Sequence, residues 1–293
     1  MKTYPWLDKQ LYPFSAHYFD LNGQKLHYLD EGKGDALVFI HGTPTWSFMY
    51  RDLIKGLRQN YRCLALDHLG FGLSDKPKNY PYSAQKHAEN LENWLNSLNL
   101  ENFTLIIHDF GGVLGFNYAL KYPEKIKNLI VFNTFLWSSE GEPKFEKFKK
   151  ILKNPVLPFL YRYFNFSARF ILPKGFEDKK KLSKTLHQHY LKPFSKVSER
   201  EGTLGFVKAL LNEQAWFNQL WQERAKLLDK EILLLWGMKD EFLTEEYLEK
   251  IKHNFSHSQV HTFADCGHFV PEEIGDALVP IFQDFLQPVK IKA

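Results

Sequence analysis

Apolar residues fall along this chain in short, nearly continuous runs separated by stretches of helical spacing. Residues 36–40, 63–66, 103–107, 129–132 and 232–236 are almost wholly Val, Ile, Leu, Phe, Ala, Cys or Trp. Strands buried on both faces of a parallel sheet read this way, whereas a strand with one wet face alternates. Between them Ala84, Ala88, Leu91, Trp94, Leu95 and Leu98 recur at helical intervals, and residues 113–120 form a second apolar helical stretch. Strand and helix in alternation predict an α/β fold with a mostly parallel central sheet flanked by helices. Upstream, residues 18–20 and 25–29 flank Asn22-Gly23, a dipeptide that favours a tight hairpin, so an antiparallel edge should lead into the sheet. Downstream, residues 259–263 read as a last strand and 271–285 as one closing helix.

The rhythm stops after Phe132, and about a hundred residues pass before Ile232, where a crossover needs only about a dozen. Residues 139–226 therefore read as a helical cap inserted after the sixth strand, dividing the scaffold into 1–138 and 227–293. Charge separates the two parts: residues 140–226 hold 18 Lys or Arg against 9 Asp or Glu, a balance of +9, and the remainder carries −5. Phe159, Tyr161, Tyr163, Phe164 and Phe166 are interleaved with basic residues, as in amphipathic helices with one face on the scaffold. The expectation is a solvated cap rather than a membrane-surface element.

Composition narrows the partners. With 293 residues, 44% hydrophobic and 16% aromatic, the chain is too apolar to stay disordered, and a net charge of +4 is too small to argue for nucleic acid. Cys63 and Cys266 alone exclude a disulfide framework and a cysteine-built zinc site, and suit a reducing compartment. Pro5, Asp8 and Pro13 interrupt residues 1–14 where a signal peptide needs an apolar stretch, and no run approaches the ~20 residues that span a bilayer. His253, His257 and His261 have metal-like spacing, but Asn254, Ser256 and Ser258 point to a loop. These features predict a cytoplasmic monomer or weak dimer with no metal, cofactor, nucleic acid or membrane, acting on a small apolar organic molecule and water.

The chemistry concentrates at Ile106-Ile107-His108-Asp109-Phe110-Gly111-Gly112. A buried strand ends, one reactive residue follows and two glycines open a helix, which is the strand, turn, helix arrangement of a nucleophile elbow. Asp109 holds the nucleophile's place; read alone, it is equally an ordinary helix N-cap. Three other segments favour the elbow. His41-Gly42-Thr43-Pro44 follows an early strand, where elbow-type hydrolases supply one oxyanion-hole N–H, so Thr43 and Phe110 are the expected donors. Asp240 and His268 each follow a later strand, at the carboxyl ends where parallel sheets present catalytic loops. The order nucleophile, acid, histidine is that of α/β-hydrolases. The loop from Asp67 to Asp75, punctuated by Gly70 and Gly72, reads only as a loop.

His41-Gly-Thr-Pro-Thr-Trp-Ser-Phe-Met-Tyr-Arg51, Asp67 to Pro77, the elbow, Asn133-Thr134, Trp236-Gly-Met-Lys-Asp240 and Gly267-His-Phe-Val-Pro-Glu-Glu273 together resemble the haloalkane dehalogenase family. Tyr163-Phe-Asn-Phe-Ser-Ala-Arg169 and His189-Tyr-Leu-Lys-Pro-Phe194 resemble its third subfamily, so the likeness covers nearly the whole chain. It implies an α/β-hydrolase fold and a triad of Asp109, His268 and Asp240, in which an alkyl ester on Asp109 is hydrolysed by water that His268 activates. Two positions depart from the family. The residue after the nucleophile is typically a Trp that binds the halide and here is Phe110, and Thr43 stands where Asn is typical. Phenylalanine has no polar hydrogen to donate. The expected substitutes are the Thr43 hydroxyl and an indole from Trp137, Trp216 or Trp221. Haloalkane hydrolysis, with halide as product, is the leading expectation. Epoxide hydrolysis, with Tyr161, Tyr163 or Tyr190 as proton donor, and β-lactone or ester cleavage stand beside it. A receptor that keeps the pocket without turnover is the non-enzymatic alternative.

Overall fold

The apolar runs pair into one eight-stranded sheet in the computed structural model, which describes residues 4–287; the outermost ends of the two scaffold segments lie outside the described residues. The strands are β1 (His17–Leu21), β2 (Gln24–Glu31), β3 (Ala36–Ile40), β4 (Arg62–Leu66), β5 (Phe103–Asp109), β6 (Ile126–Thr134), β7 (Glu231–Gly237) and β8 (Gln259–Phe263). Their order is β1-β2-β4-β3-β5-β6-β7-β8, with β2 antiparallel to both neighbours and the rest parallel. Asn22 and Gly23 make the expected hairpin with positive φ at both positions.

Side chains of each parallel strand divide by parity between two apolar layers. Val38 and Ile40 face one layer and Leu37 and Phe39 the other; Leu105 and Ile107 oppose Ile106; Ile232, Leu234 and Trp236 oppose Leu233 and Leu235. Eleven α-helices surround the sheet among the described residues. The first three are α1 (Arg51–Leu57), α2 (Ala84–Ser97) and α3 (Phe110–Lys121). The insertion after β6 holds α4 (Pro143–Leu152), α5 (Val156–Phe164), α6 (Lys184–Leu191), α7 (Glu201–Asn212) and α8 (Gln214–Gln222), with a π-helical turn at Ser167–Ile171. After β7 come α9 (Glu245–Asn254), α10 (Val270–Glu273) and α11 (Val279–Leu286).

The closing helix expected over 271–285 is in fact two. Gly275 takes φ +50° between α10 and α11, and a short 3-10 turn at Gly275–Leu278 redirects the chain. The break turns Glu272 and Glu273 inward. Glu272 meets Arg51 of α1 at 2.5 Å, and Glu273 accepts from the amides of Gly267, Glu177 and Asp178. A periodicity reading cannot see this, because the apolar spacing carries on through the break.

β3 has β4 on one side and β5 on the other, so the chain changes direction across the sheet between them, and ligands of open α/β sheets bind at the carboxyl ends of such a pair. Two glycines let the elbow close there. A Cβ on Gly111 would run into the Ile40 carbonyl oxygen, and one on Gly112 into the Thr134 hydroxyl. The first obstacle is main chain in the middle of a sheet, the second a side chain able to rotate. Both Gly111→Ala and Gly112→Ala should destabilise in urea unfolding by about 1–3 kcal/mol, with Gly111→Ala the larger loss; equal or negligible losses would contradict this packing.

Candidate active site

Asp109 ends β5 with φ +52° and ψ −129°, a conformation L-residues avoid, and its side chain makes no capping hydrogen bond to α3. The N-cap reading fails on that count, since a cap is defined by the bond its oxygen accepts. The carboxylate points away, with 14% of the side chain exposed. Its Oδ1 accepts the Thr43 amide at 2.7 Å, and the Phe110 amide also hydrogen-bonds to it.

The Thr43 amide is aimed by the loop behind it. His41 Nε2 accepts the His68 amide hydrogen at 3.0 Å, so the ring proton lies on Nδ1, which donates to the Gly42 carbonyl at 2.6 Å. The Thr45 hydroxyl donates to the same carbonyl. A trans peptide plane sets its C=O and N–H in opposite directions, so pinning the Gly42 oxygen turns the Thr43 N–H toward Asp109. Asp67 ties this loop to its neighbour by accepting from the Ser47 and Leu73 amides at 2.9 and 2.8 Å and from His27 Nδ1 at 2.8 Å. What read as a mere loop from 67 to 75 is the brace of the segment that carries the Thr43 amide.

His268 lies opposite, its Nε2 3.6 Å from Asp109 Oδ2 and its Nδ1 2.7 Å from Asp240 Oδ2. Asp240, completely buried at the side chain, also accepts from Asn133 Nδ2 at 2.9 Å and from the Phe242 and Leu243 amides at 2.7 and 3.0 Å. Asn133, which the sequence marked only as part of a family-like segment, proves to hold the Asp240 carboxylate in place. The His268 main chain is held from both sides, donating to Gly175 O of the cap and accepting from His108 Nε2.

Burial disfavours the His268 imidazolium, but the Asp240 and Asp109 carboxylates outweigh it and raise the pKa to about 10. Burial likewise opposes ionisation of Asp109, yet the facing His268 ring and its charge hold it below the ordinary carboxylate value. Burial and then the nearby His268 charge push His108 down to about 3, so it stands neutral and donates from Nε2. The Asp109 and His268 shifts both run in the direction that favours an ionised Asp109 beside a protonated His268.

A cavity of about 230 Å³ opens from Asp109, walled by such side chains as Phe135, Phe145, Leu157, Val207 and Phe242. Thr43, Phe110 and Tyr161 line it, and the buried Thr43 hydroxyl has no hydrogen-bond partner. Five other sequence candidates do not line it. Trp137 packs against Trp221 and Tyr247, Trp221 also against Phe255, and Trp216 against Phe217. Tyr190 is buried beside Phe48, near Arg51 and Glu272. Tyr163 is 58% exposed because it follows Tyr161 on α5 by two residues, which places it on the opposite side of the helix. A second, polar depression of about 480 Å³ around Asp35, Arg62 and Lys127 lies at the start of β3 and β4, the wrong end of the sheet for this chemistry. Among the described residues no group of three or more His, Cys, Asp or Glu is placed to hold a metal, and no helix is long and apolar enough to cross a membrane.

A family model described as the alpha/beta hydrolase fold matches residues 35–273. A cis-3-alkyl-4-alkyloxetan-2-one decarboxylase of Shewanella oneidensis is 36% identical over 285 residues, spanning 94% of this chain and 89% of its own. Haloalkane dehalogenase 2 of Mycobacterium tuberculosis is 30% identical over 273 residues, spanning 92% and 94%. Among solved structures, a point mutant of the haloalkane dehalogenase DatA from Agrobacterium tumefaciens C58 superposes with a TM-score of 0.82 at 25% identity, covering 92% of this chain and 96% of that one. The chain belongs to the α/β-hydrolase fold family and, within it, is a haloalkane dehalogenase-like hydrolase.

Proposed function

We propose that the chain opens alkyl-substituted β-lactones by attack of the Asp109 carboxylate on the ring carbon that bears oxygen, forming an alkyl ester on the enzyme. The observation that carries this reading is that no indole lines the cavity among the described residues. A departing halide needs N–H donors, and the polar hydrogens here belong mainly to the hydroxyls of Thr43, Ser139, Tyr161, Ser167 and Tyr247. Hydroxyls suit an oxygen leaving group, and among those basicity decides. An epoxide releases an alkoxide that must be protonated at once, and burial pushes the Tyr161 hydroxyl up to about 12, a weak acid for that task. A β-lactone releases a carboxylate, which needs no proton and stays tethered to the substrate. The apolar walls suit its alkyl chains, and the Shewanella relative is named for such a ring.

In the first step the ring C–O bond breaks, its electron pair passes to the new carboxylate, and a bond forms from Asp109 to the alkyl carbon. The ester then has two exits. In one, the bond from carbon to the tethered carboxylate breaks as CO₂ leaves, its electrons form an alkene, and Asp109 departs with the ester pair; no water is consumed and no proton moves. In the other, water attacks the ester carbonyl. Esterification removes the Asp109 charge, so His268 loses one of the two carboxylates that hold its proton, and its pKa falls. The neutral ring, oriented by Asp240, then serves as base, and the Thr43 and Phe110 amides receive the oxyanion, each worth about 3 kcal/mol in comparable holes. A haloalkane has only the second exit. Haloalkane hydrolysis is the second reading, favoured by the mycobacterial relative and served by the Thr43 hydroxyl.

Three results test this reading. A cis-dialkyl β-lactone should be consumed with kcat/KM at least about a hundredfold above that of a bromoalkane of matched length, and Asp109→Ala should lose at least about a thousandfold. Preferred bromide release would reverse the order of the two readings. With a bromoalkane, His268→Gln should accumulate an alkyl ester on Asp109, visible by mass spectrometry; rapid turnover by that variant would exclude His268 as the base. Because the base works only when deprotonated, wild-type bromide release should fall as pH is lowered through the reduced His268 pKa of the ester. β-Lactone loss through the CO₂ exit should stay flat from about pH 6 to 9, and a matching acid limb there would assign the lactone to the hydrolytic exit.

A further inference from the structure

The outer surface of the cap carries a feature that pocket chemistry does not explain. Residues 147–176 contain seven Lys or Arg and no Asp or Glu. Within that stretch α5 is apolar on two opposite sides. Leu157 and Tyr161 face the cavity, whereas Val156, Phe159 and Tyr163, spaced i, i+3 and i+7, form an outward stripe in which each residue is more than half exposed. A helix that is apolar all round is ordinarily buried on all sides. Phe164 and Phe170 extend the exposed patch. On α4, Phe148 and Ile151 are exposed and yet line the cavity, so the outer apolar surface continues inward toward Asp109. Lys147, Lys150, Lys153, Arg169 and Lys174 are exposed and form no ion pair among the described residues, in contrast to Lys149 and Arg162, which are paired.

Against the solvated cap expected from the sequence, we propose that the α4–α5 face docks on an anionic lipid surface, with Val156, Phe159, Tyr163 and Phe164 entering the headgroup boundary and the unpaired cations facing lipid phosphates. Interfacial helices bind through this combination of buried apolar stripe and flanking cations. A second copy of the chain is a poor occupant, because a two-fold contact would set two faces rich in unpaired cations against each other, their few carboxylates such as Glu146 and Glu201 being already paired. Docking places the mouth of the cavity on the lipid, so an apolar substrate passes from bilayer to pocket without crossing water. That delivery step rests on the reading of the cavity as a site for apolar substrates; the docking does not, and it is measured without substrate.

The test is sedimentation of the full chain with phosphatidylcholine vesicles and with vesicles holding about 30 mol % phosphatidylglycerol. The wild type should bind the anionic vesicles at least about tenfold better than the neutral ones, with the excess lost at high salt. Phe159→Ser with Tyr163→Ser should reduce that binding at least about tenfold, and Lys147→Glu with Lys150→Glu should remove the anionic preference. None of these four residues lines the cavity, so both variants should keep wild-type kcat/KM on a short, water-soluble substrate, which also reports that they fold. Wild type that pellets with neither vesicle, or serine variants that bind as wild type does, would overturn the proposal. A wild-type dimer that the serine variants convert to monomer would overturn it in favour of a second copy.

Discussion

One imidazole stands between two carboxylates in a buried site, and the rest of the structure is arranged to keep His268 there. Its Nδ1 meets Asp240 at 2.7 Å and its Nε2 faces Asp109 at 3.6 Å. Three strands must end in register to build this row. β5 supplies Asp109, β7 the loop with Asp240, and β8 the loop with His268, and Asn133 at the end of β6 ties Asp240 down between them. The divided closing helix belongs to the same device, because Glu273 turns inward to hold the Gly267 amide just before His268. The cap joins through Gly175 O, which accepts from the His268 amide, so a side-chain charge row is fixed largely by main-chain bonds at its edges.

That row was legible in the sequence because its parts are ends of strands. A continuous apolar run marks a buried strand, the residue after it marks a loop at the carboxyl edge, and chain order then assigns Asp109, Asp240 and His268. The predicted strand at 36–40 matches β3, and that at 259–263 matches β8, residue for residue. What was not legible is anything decided by which side of a helix faces inward when both sides are apolar. Tyr161 and Tyr163 are the same residue type two positions apart, and only tertiary packing separates a pocket wall from an exposed ring. The roles of Asp67, His41 and Asn133 escaped for another reason. Their work is to orient a peptide or a carboxylate rather than to react, and sequence spacing holds no trace of which carbonyl a ring nitrogen will find.

The residue after Asp109 shows how one side chain can differ while the main chain around it keeps its place. The Phe110 amide faces Asp109 whatever the side chain. The ring itself packs on Phe135 and Phe206, filling with carbon the place from which an indole would donate. In the reaction proposed above, the nucleophilic and leaving-group halves of the site are therefore separable: the first is built from main chain and charge, the second from the choice of a few side chains. A change in the second alters which bond the carboxylate is able to break while the strained elbow and the row behind it stay as they are.

The same separation bears on the cap. A helix with apolar side chains on opposite faces costs stability if one face meets only water, since that exposed area gains nothing on folding. α5 keeps such a face, and its neighbour α4 shares two apolar residues between surface and cavity. Polar substitutions at Val156, Phe159 and Tyr163 would leave the inner wall of Leu157 and Tyr161 unchanged, so lining the pocket does not explain the outer stripe. The two faces join on α4, where Phe148 and Ile151 are exposed and also line the cavity. A substrate that the cavity accepts is one that water holds poorly, and an entrance that is itself apolar and ringed by cations solves the problem of supply at the point where the problem of binding has already been met.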